Sequence, residues 1–438
     1  MASIIGELNI EWKAKYAWKK GLKTIFYPWL AHLYPFMKFR LITLIVIAVA
    51  AGLFLFFIGG QKNSVSVSTM GNAEDVPSPF IENMLGLKDK PTEKASEVSM
   101  PAGNTKLPNP PEKITAVYST SWSASSKTKI DYFIDLIKTT QANAVVIDIK
   151  DYSGTLAYVT DDAAVMKYAT IEKKISDPAG LVRKFHENGI YTIARVTVFQ
   201  DPALAAKRPD LAIKNKTTGK VWADRKNLSW MDPASKEVWD YNVSIAKNAF
   251  LLGFDEVNFD YVRFPSDGDL TVMAYSQYQG DKTKSQTIKE FFLYLRENLK
   301  DERISADLFG LTVTAKDDLG IGQILEDALG SFDAVCPMIY PSHFANGFMG
   351  YKNPADHPYE VIKHSMEEAG LKVASWKEAN PGKDPAKIRP WLQDFDLGAD
   401  YGNSEIKDQV KAVSETGNDG WMMWSPQNVY TRGGIEKL

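Results

Sequence analysis

The chain has 438 residues, of which 45% are hydrophobic and 24% charged, and its formal net charge is -3. That suits one large domain with accessory segments and a packed core, and it excludes the basic footprint of a nucleic-acid binder. The single cysteine, Cys336, excludes an intramolecular disulfide framework, and the histidines form no His-x-His or His-x-x-x-His pair, which argues against a histidine-built zinc site.

Residues 1–40 are basic and aromatic, with Lys13, Lys15, Lys19, Lys20, Lys23, Lys38 and Arg40 against Glu7 and Glu11. Leu41 to Ile58 is then free of charge and is closed by Gly59-Gly60, so 41–60 is expected to be a single transmembrane signal-anchor helix in the lipid bilayer. Positive residues stay inside. The expected location is therefore the cell membrane, with 1–40 cytoplasmic and the rest extracytoplasmic. Residues 61–112 are rich in Ser, Pro, Lys and Glu without apolar periodicity and read as a disordered, flexible linker.

From 113 to 438 strands and helices alternate. Strands are expected at Ile114–Ser119, Ala144–Lys150, Tyr191–Phe199, Glu256–Pro265, Arg303–Phe309, Phe332–Tyr340, Ile388–Phe395 and Gly420–Ser425. Between them, Ser126, Asp177-Pro178 and Asp232-Pro233 read as helix starts, with further helices at 288–299, 322–329, 358–369 and 405–415. Eight such units fit an α/β (β/α)8 TIM barrel. No Gly-rich phosphate loop follows the first strand, which weakens a nucleotide-binding open sheet.

Alternate residues of a strand point to opposite faces. In Val145–Lys150, Ala194–Val198, Glu256–Tyr261 and Ile304–Leu308, one face is largely aliphatic and the other carries ionisable or polar groups. The aliphatic face should meet the helices. The polar face should place Asp148, Lys150, Arg195, Asn258, Asp260 and Asp307, with Tyr340, inside the barrel at the ends where barrel sites form. Carboxylates on separate strands suit glycoside hydrolysis or a divalent-metal site. Aromatic residues late in strands, Trp391 and Trp424 above all, favour sugar.

Several segments resemble the signatures of a bacterial family of glycosyl hydrolase-like domains once catalogued as a domain of unknown function. They are Phe259-Asp260-Tyr261-Val262-Arg263-Phe264-Pro265, Val146-Ile147-Asp148-Ile149-Lys150-Asp151 and Cys336-Pro337-Met338-Ile339-Tyr340-Pro341-Ser342-His343-Phe344. Ser305 to Gly310 and Trp230-Met231-Asp232-Pro233 match as well. The resemblance spans 114–425 and implies a TIM barrel acting on carbohydrate, with an acidic residue at the end of strand four, here Asp260. Chitinase-like barrels end that motif in Glu, and amylase-like barrels use Glu on strand five where this chain has Asp307. The resemblance therefore leaves acid, base and nucleophile unassigned.

The expected function is a membrane-anchored, exported glycoside hydrolase acting on a cell-envelope or extracellular polysaccharide. Its catalytic carboxylates would be Asp260 and Asp307, with Asp148 as third candidate. Lys150, Arg195, Asn258, Arg263, Tyr340, His343, Trp391 and Trp424 would bind substrate. No cofactor or metal is expected, and nothing points to a protein partner. A non-catalytic glycan-binding barrel and a Mg-dependent barrel enzyme or lyase are the alternatives. A polysaccharide deacetylase is disfavoured because the paired histidines of its metal site are missing.

Overall fold

The computed structural model describes residues 105–418 and 420–437. The expected cytoplasmic segment 1–40, the membrane span 41–60 and the linker up to residue 104 lie outside the described residues. Among those described, no helix is long and apolar enough to cross a membrane. The end of the linker segment is anchored: Leu107 is buried, and its backbone N–H donates to Asp255 Oδ1 at 2.6 Å.

Eight parallel strands close into a barrel. They are β1 (Ile114–Ser119), β2 (Ala144–Lys150), β3 (Tyr191–Thr197), β4 (Glu256–Asp260), β5 (Ile304–Phe309), β6 (Ala334–Met338), β7 (Trp391–Gln393) and β8 (Gly420–Trp424). Each pairs with its neighbours in chain order, and β8 pairs with β1 to close the ring. Closure requires the glycine that opens β8. Gly420 has φ +108°, and a Cβ there would stand 1.9 Å from the Ile114 carbonyl oxygen.

Helices between the strands are α1 (Lys127–Thr139), α2 (Pro178–His186), α3 (Lys236–Leu251), α4 (Lys284–Asn298), α5 (Leu325–Leu329), α6 (Pro358–Ala379) and α7 (Asn403–Glu415). Their starts follow capping chemistry. Ser126 caps α1, Asp177 caps α2 with Pro178 in the first turn, and Thr283 with Gln286 forms a capping box on α4. After β8 there is a 3-10 turn at Arg432–Gly434 rather than an eighth helix.

Three local expectations are corrected. Asp232 does not cap α3, whose N-cap is Ser235; its Oδ2 instead accepts from the backbone of Gln277 and Tyr278 at 2.6 and 3.0 Å and ties down the loop before α4. The expected seventh strand is broken at Pro390, which has no N–H to give the ladder, into Lys387–Ile388 and Trp391–Gln393. Helix α6 runs ten residues past its expected end at Ala369.

The outward faces carry Val145, Ile147, Val196, Val257, Phe259 and Leu308, all fully buried in the layer between barrel and helices. This is the strand pattern of a sheet covered by helices. The lower interior is filled by Ala116, Tyr191, Ile193, Cys336 and Met422 around a buried ion pair between Glu256 and Arg389. Tyr191 and Ser305 also hydrogen-bond Glu256, so its oxygens are satisfied.

Candidate active site

Register places the polar residues. On β2 and β3, Asp148 lies opposite Arg195, and on β3 and β4, Arg195 lies opposite Asn258 and Thr197 opposite Asp260. Asn258 pairs with Ser305 on β5, so Asp307 stands on the same inner face as Asp260, on the next strand. Asp148, Arg195, Asn258, Asp260 and Asp307 therefore converge inside the upper barrel.

Lys150 does not join them. A bulge between Asp148 and Lys150 sets Lys150 opposite Val196, an outward position, and reverses its alternation. Its ammonium is fully buried outside the barrel, 2.8 Å from Asp201 and donating to the Thr197 carbonyl. The sequence expectation of Lys150 in the inner site is corrected accordingly.

Arg195 organises the convergent group. Nη1 donates to Asp148 Oδ1 at 2.6 Å, Nη2 donates to Asp260 Oδ2, and Nε faces Asp307 Oδ2 at 3.6 Å. The residue is 6% exposed and all three carboxyls are as deeply buried. One guanidinium thus supplies the positive charge among three acids, and a buried arginine with this set of partners is held firmly charged. Among the described residues, no group of three or more His, Cys, Asp or Glu side chains is arranged to hold a metal ion.

The three carboxyls have different surroundings. Asp148 is closed off by Arg195 and by the Tyr118 hydroxyl, which donates to Oδ2 at 2.5 Å. Burial pushes its pKa up, against the opposing charge of Arg195. Asp260 accepts from Arg195 on Oδ2 and from the Tyr261 backbone N–H on Oδ1. Asp307 accepts two bonds on one oxygen, from Trp391 Nε1 at 2.7 Å and Asn258 Nδ2 at 2.9 Å. Its other oxygen has only the distant Arg195 Nε. Burial, with the neighbouring Asp260 charge, pushes the Asp307 carboxyl up to about 8.

Above this group opens a cleft of about 650 Å³. Asp260, Asp307, Arg195, Arg263, Tyr340, His343, Trp391 and Trp424 line it. Asn258 lies beneath, under Asp307, and Asp148 lies behind Arg195. Trp391 is 1% exposed and gives its N–H to Asp307, so it supports that carboxyl. Trp424 is partly exposed and stacks on Tyr118 with ring centres 3.9 Å apart. Tyr340, His343 and Phe395 form an aromatic wall with centres 5.2 to 6.1 Å apart. The Tyr340 hydroxyl lies in this cleft, and its pKa is raised by burial and by Asp307 and Asp260. Burial, and secondly the charge of Lys226, lowers the pKa of His343.

At the end of β4, Tyr261 takes the left-handed conformation, φ +54°. A regular strand would have kept Arg263 out of phase with Asp260. After this turn Arg263 enters the cleft, with its guanidinium carbon 4.7 Å from the Trp230 ring centre and 4.6 Å from that of Phe309.

Sequence reasoning missed Tyr118 and Lys226. Tyr118 was within reach, because continuing the alternation test onto β1 places it inward, opposite Val146. Lys226 sits on the irregular excursion between β3 and α3, where no periodicity marks a residue as cleft-lining.

A closed (β/α)8 barrel with buried carboxyls at an aromatic-lined mouth defines a TIM-barrel protein of glycoside hydrolase type. The chain belongs to the family described as "Putative glycosyl hydrolase domain", which matches residues 116–430. No curated protein matches the chain by sequence. Among solved structures, a hypothetical protein from Ruminiclostridium thermocellum is 36% identical over 47% of this chain and 98% of its own, with a TM-score of 0.41. The glycoside hydrolase domain of PgaB (BpsB) from Bordetella bronchiseptica is 15% identical over 75% of this chain and 100% of its own, with a TM-score of 0.49. An α-galactosidase from Thermus thermophilus is 13% identical over 75% of this chain and 65% of its own, with a TM-score of 0.47.

Proposed function

We propose that this protein hydrolyses glycosidic bonds in a cell-envelope or extracellular polysaccharide, with Asp307 as general acid and Asp260 as the nucleophilic carboxylate. The observation that carries this is the contrast between two carboxyls on adjacent strands of one cleft. Asp260 is tied to a guanidinium and a backbone N–H. Asp307 is held at one oxygen, has its pKa raised to about 8, and keeps its other oxygen for a proton. A carboxyl able to keep its proton, beside a second carboxyl held by a guanidinium, is what acid and nucleophile require.

The reaction then proceeds from the residues present. Asp307 protonates the leaving glycosidic oxygen while Asp260 attacks the anomeric carbon. Arg195 holds Asp260 in line, and Asp148 with Tyr118 holds Arg195. Water next attacks the glycosyl–Asp260 ester with Asp307, now deprotonated, taking its proton. Tyr340 and His343 offer polar contacts, and Trp424 and Phe395 offer ring faces for the sugar. The chain would act from the outer side of the membrane, tethered by the uncharged run at 41–60.

The test is release of reducing ends by the purified full-length protein from a panel of envelope polysaccharides, with and without a chelator. Release that persists under chelation is the expected result. Loss of release on chelation, restored by Mg²⁺, would move the protein to the metal-dependent class.

A second reading, a non-catalytic glycan-binding barrel, is favoured by one feature: a single arginine engages all three acids. It predicts glycan binding without product, unchanged in Asp260→Asn and Asp307→Asn.

A further inference from the structure

Arg263 is 7% exposed, yet among the described residues no carboxylate lies within ion-pair distance of it. Its hydrogen bonds there both come from Nη1, to the Phe264 carbonyl at 3.0 Å and to Ser266 Oγ at 3.2 Å. Nε and Nη2 have no hydrogen-bond partner among the described residues. The rings of Trp230, Tyr261 and Phe309 surround the guanidinium, with centres 4.6 to 5.3 Å away. A buried charge without a counter-charge is costly, and arginine offers a planar fork of donors matched to carboxylate, sulfate or phosphate.

A second cation lines the same cleft. Lys226 is exposed and makes no ion pair among the described residues. Asp224 braces its loop, accepting the Lys226 backbone N–H at 2.9 Å and that of Leu228 at 3.0 Å. The third cleft cation, Arg195, is already matched by Asp148 and Asp260. Asp260, Asp267 and Asp224 act on Arg263 through space, but among the described residues none of these carboxylates comes within ion-pair distance of its guanidinium, so its free donors have no anionic partner.

Resting on the glycoside hydrolase proposal above, we propose that the substrate glycan carries an anionic substituent, a uronate carboxylate or a sulfate or phosphate ester. Arg263 and Lys226 bind it. Arg263 supplies the directional, dehydrated contact. Lys226 supplies a flexible charge at the rim, which also draws the polyanion in. The substituent neutralises a buried guanidinium only when the correct sugar is present, so a neutral glycan leaves that charge unmatched. These two residues therefore determine specificity and stand apart from the acid and the nucleophile.

The test measures binding by titration calorimetry on the full-length protein at low and high salt, with probe pairs differing only in charge. The pairs are tetragalacturonate and its methyl ester, a sulfated tetrasaccharide and its desulfated form, and a phosphorylated maltotetraose and maltotetraose. In at least one pair the charged member should bind about tenfold tighter, an advantage that salt erodes, and the pair identifies the substituent. Lys226→Ala should weaken the charged member several-fold and leave its neutral partner unchanged, and Arg263→Gln should weaken the charged member by a larger factor than the neutral one. Lys226 is exposed, so its variant carries the test even if Arg263→Gln fails to fold. Equal binding within every pair, or a charge preference undiminished in Lys226→Ala, overturns the inference. If a neutral glycan is bound and cleaved instead, the hydrolase proposal stands and this one falls; if nothing is bound or cleaved, both fall.

Discussion

Trp391 holds Asp307 from two strands away, its indole N–H donating to Oδ1 at 2.7 Å across the top of β6. Asn258 donates to the same oxygen from β4. The two donors fix the plane of the carboxyl and leave Oδ2 toward Arg195 and the cleft. A donor to a carboxylate favours its ionised form, so this pair also limits how far burial can raise the pKa of Asp307.

Trp391→Phe removes one donor and keeps most of the ring packing. Turnover should fall roughly ten- to a hundredfold through misplacement of the acid. The alkaline limb of the pH–rate profile should move upward, because the ionised form loses a hydrogen bond. A profile unchanged in shape would mean that Trp391 does not act through Asp307.

Asp307, the proposed general acid, should set the pH dependence. In that role it would work only when protonated, so kcat/KM should fall as pH rises through about 8. Stability follows the same sign. The raised pKa means that between the ordinary value of 3.8 and about 8 the folded protein keeps a proton the unfolded chain has released. Folding free energy from this group therefore declines as pH rises through that window. Asp307→Asn should abolish the rate limb and flatten the decline, read from rates and from denaturant midpoints across pH.

Lys150 and Asp201 form a fully buried ion pair outside the barrel wall. Lys150→Met leaves the Asp201 carboxylate unmatched and should destabilise the fold by about 3–5 kcal/mol. KM of the folded protein should stay unchanged. Adding Asp201→Asn should recover much of the loss. A raised KM without loss of stability would return Lys150 to the substrate.

The barrel was legible because its strands carry a strict alternation. Val145, Ile147, Val257 and Phe259 against Asp148, Asn258 and Asp260 reveal which face meets the helices and which faces inward. The same rule fails where the backbone leaves the regular strand. A bulge turns Lys150 outward, and the left-handed turn at Tyr261 brings Arg263 into the cleft; no residue pattern announces either. Asp148 was readable as inward, but its enclosure by Tyr118 and Arg195 depends on contacts across strands. Asp232-Pro233 has the chemistry of a helix start, yet its carboxyl is claimed by the backbone of Gln277 and Tyr278, a partnership far apart in sequence. The segment 41–60 stands on its composition.

Asp260 and Asp307 occupy the same inner face of adjacent parallel strands, which are spaced about 4.8 Å apart. Carboxyls about 5–5.5 Å apart belong to retaining glycosidases, and wider pairs to inverting ones. NMR of the first-formed product should show the anomeric configuration of the substrate retained. An inverted first product would remove Asp260 as nucleophile and make it a base acting through water.

The most direct measurement compares reducing-end release by Asp260→Asn and wild type on the polysaccharide that wild type cleaves, with thermal unfolding recorded for both. Asn keeps the shape and its single oxygen can still accept from one of the two donors, Arg195 or the Tyr261 N–H, but it is not a nucleophile. The account predicts loss of activity by at least about a thousandfold with a folded protein. A folded Asp260→Asn variant that releases product at the wild-type rate would contradict it.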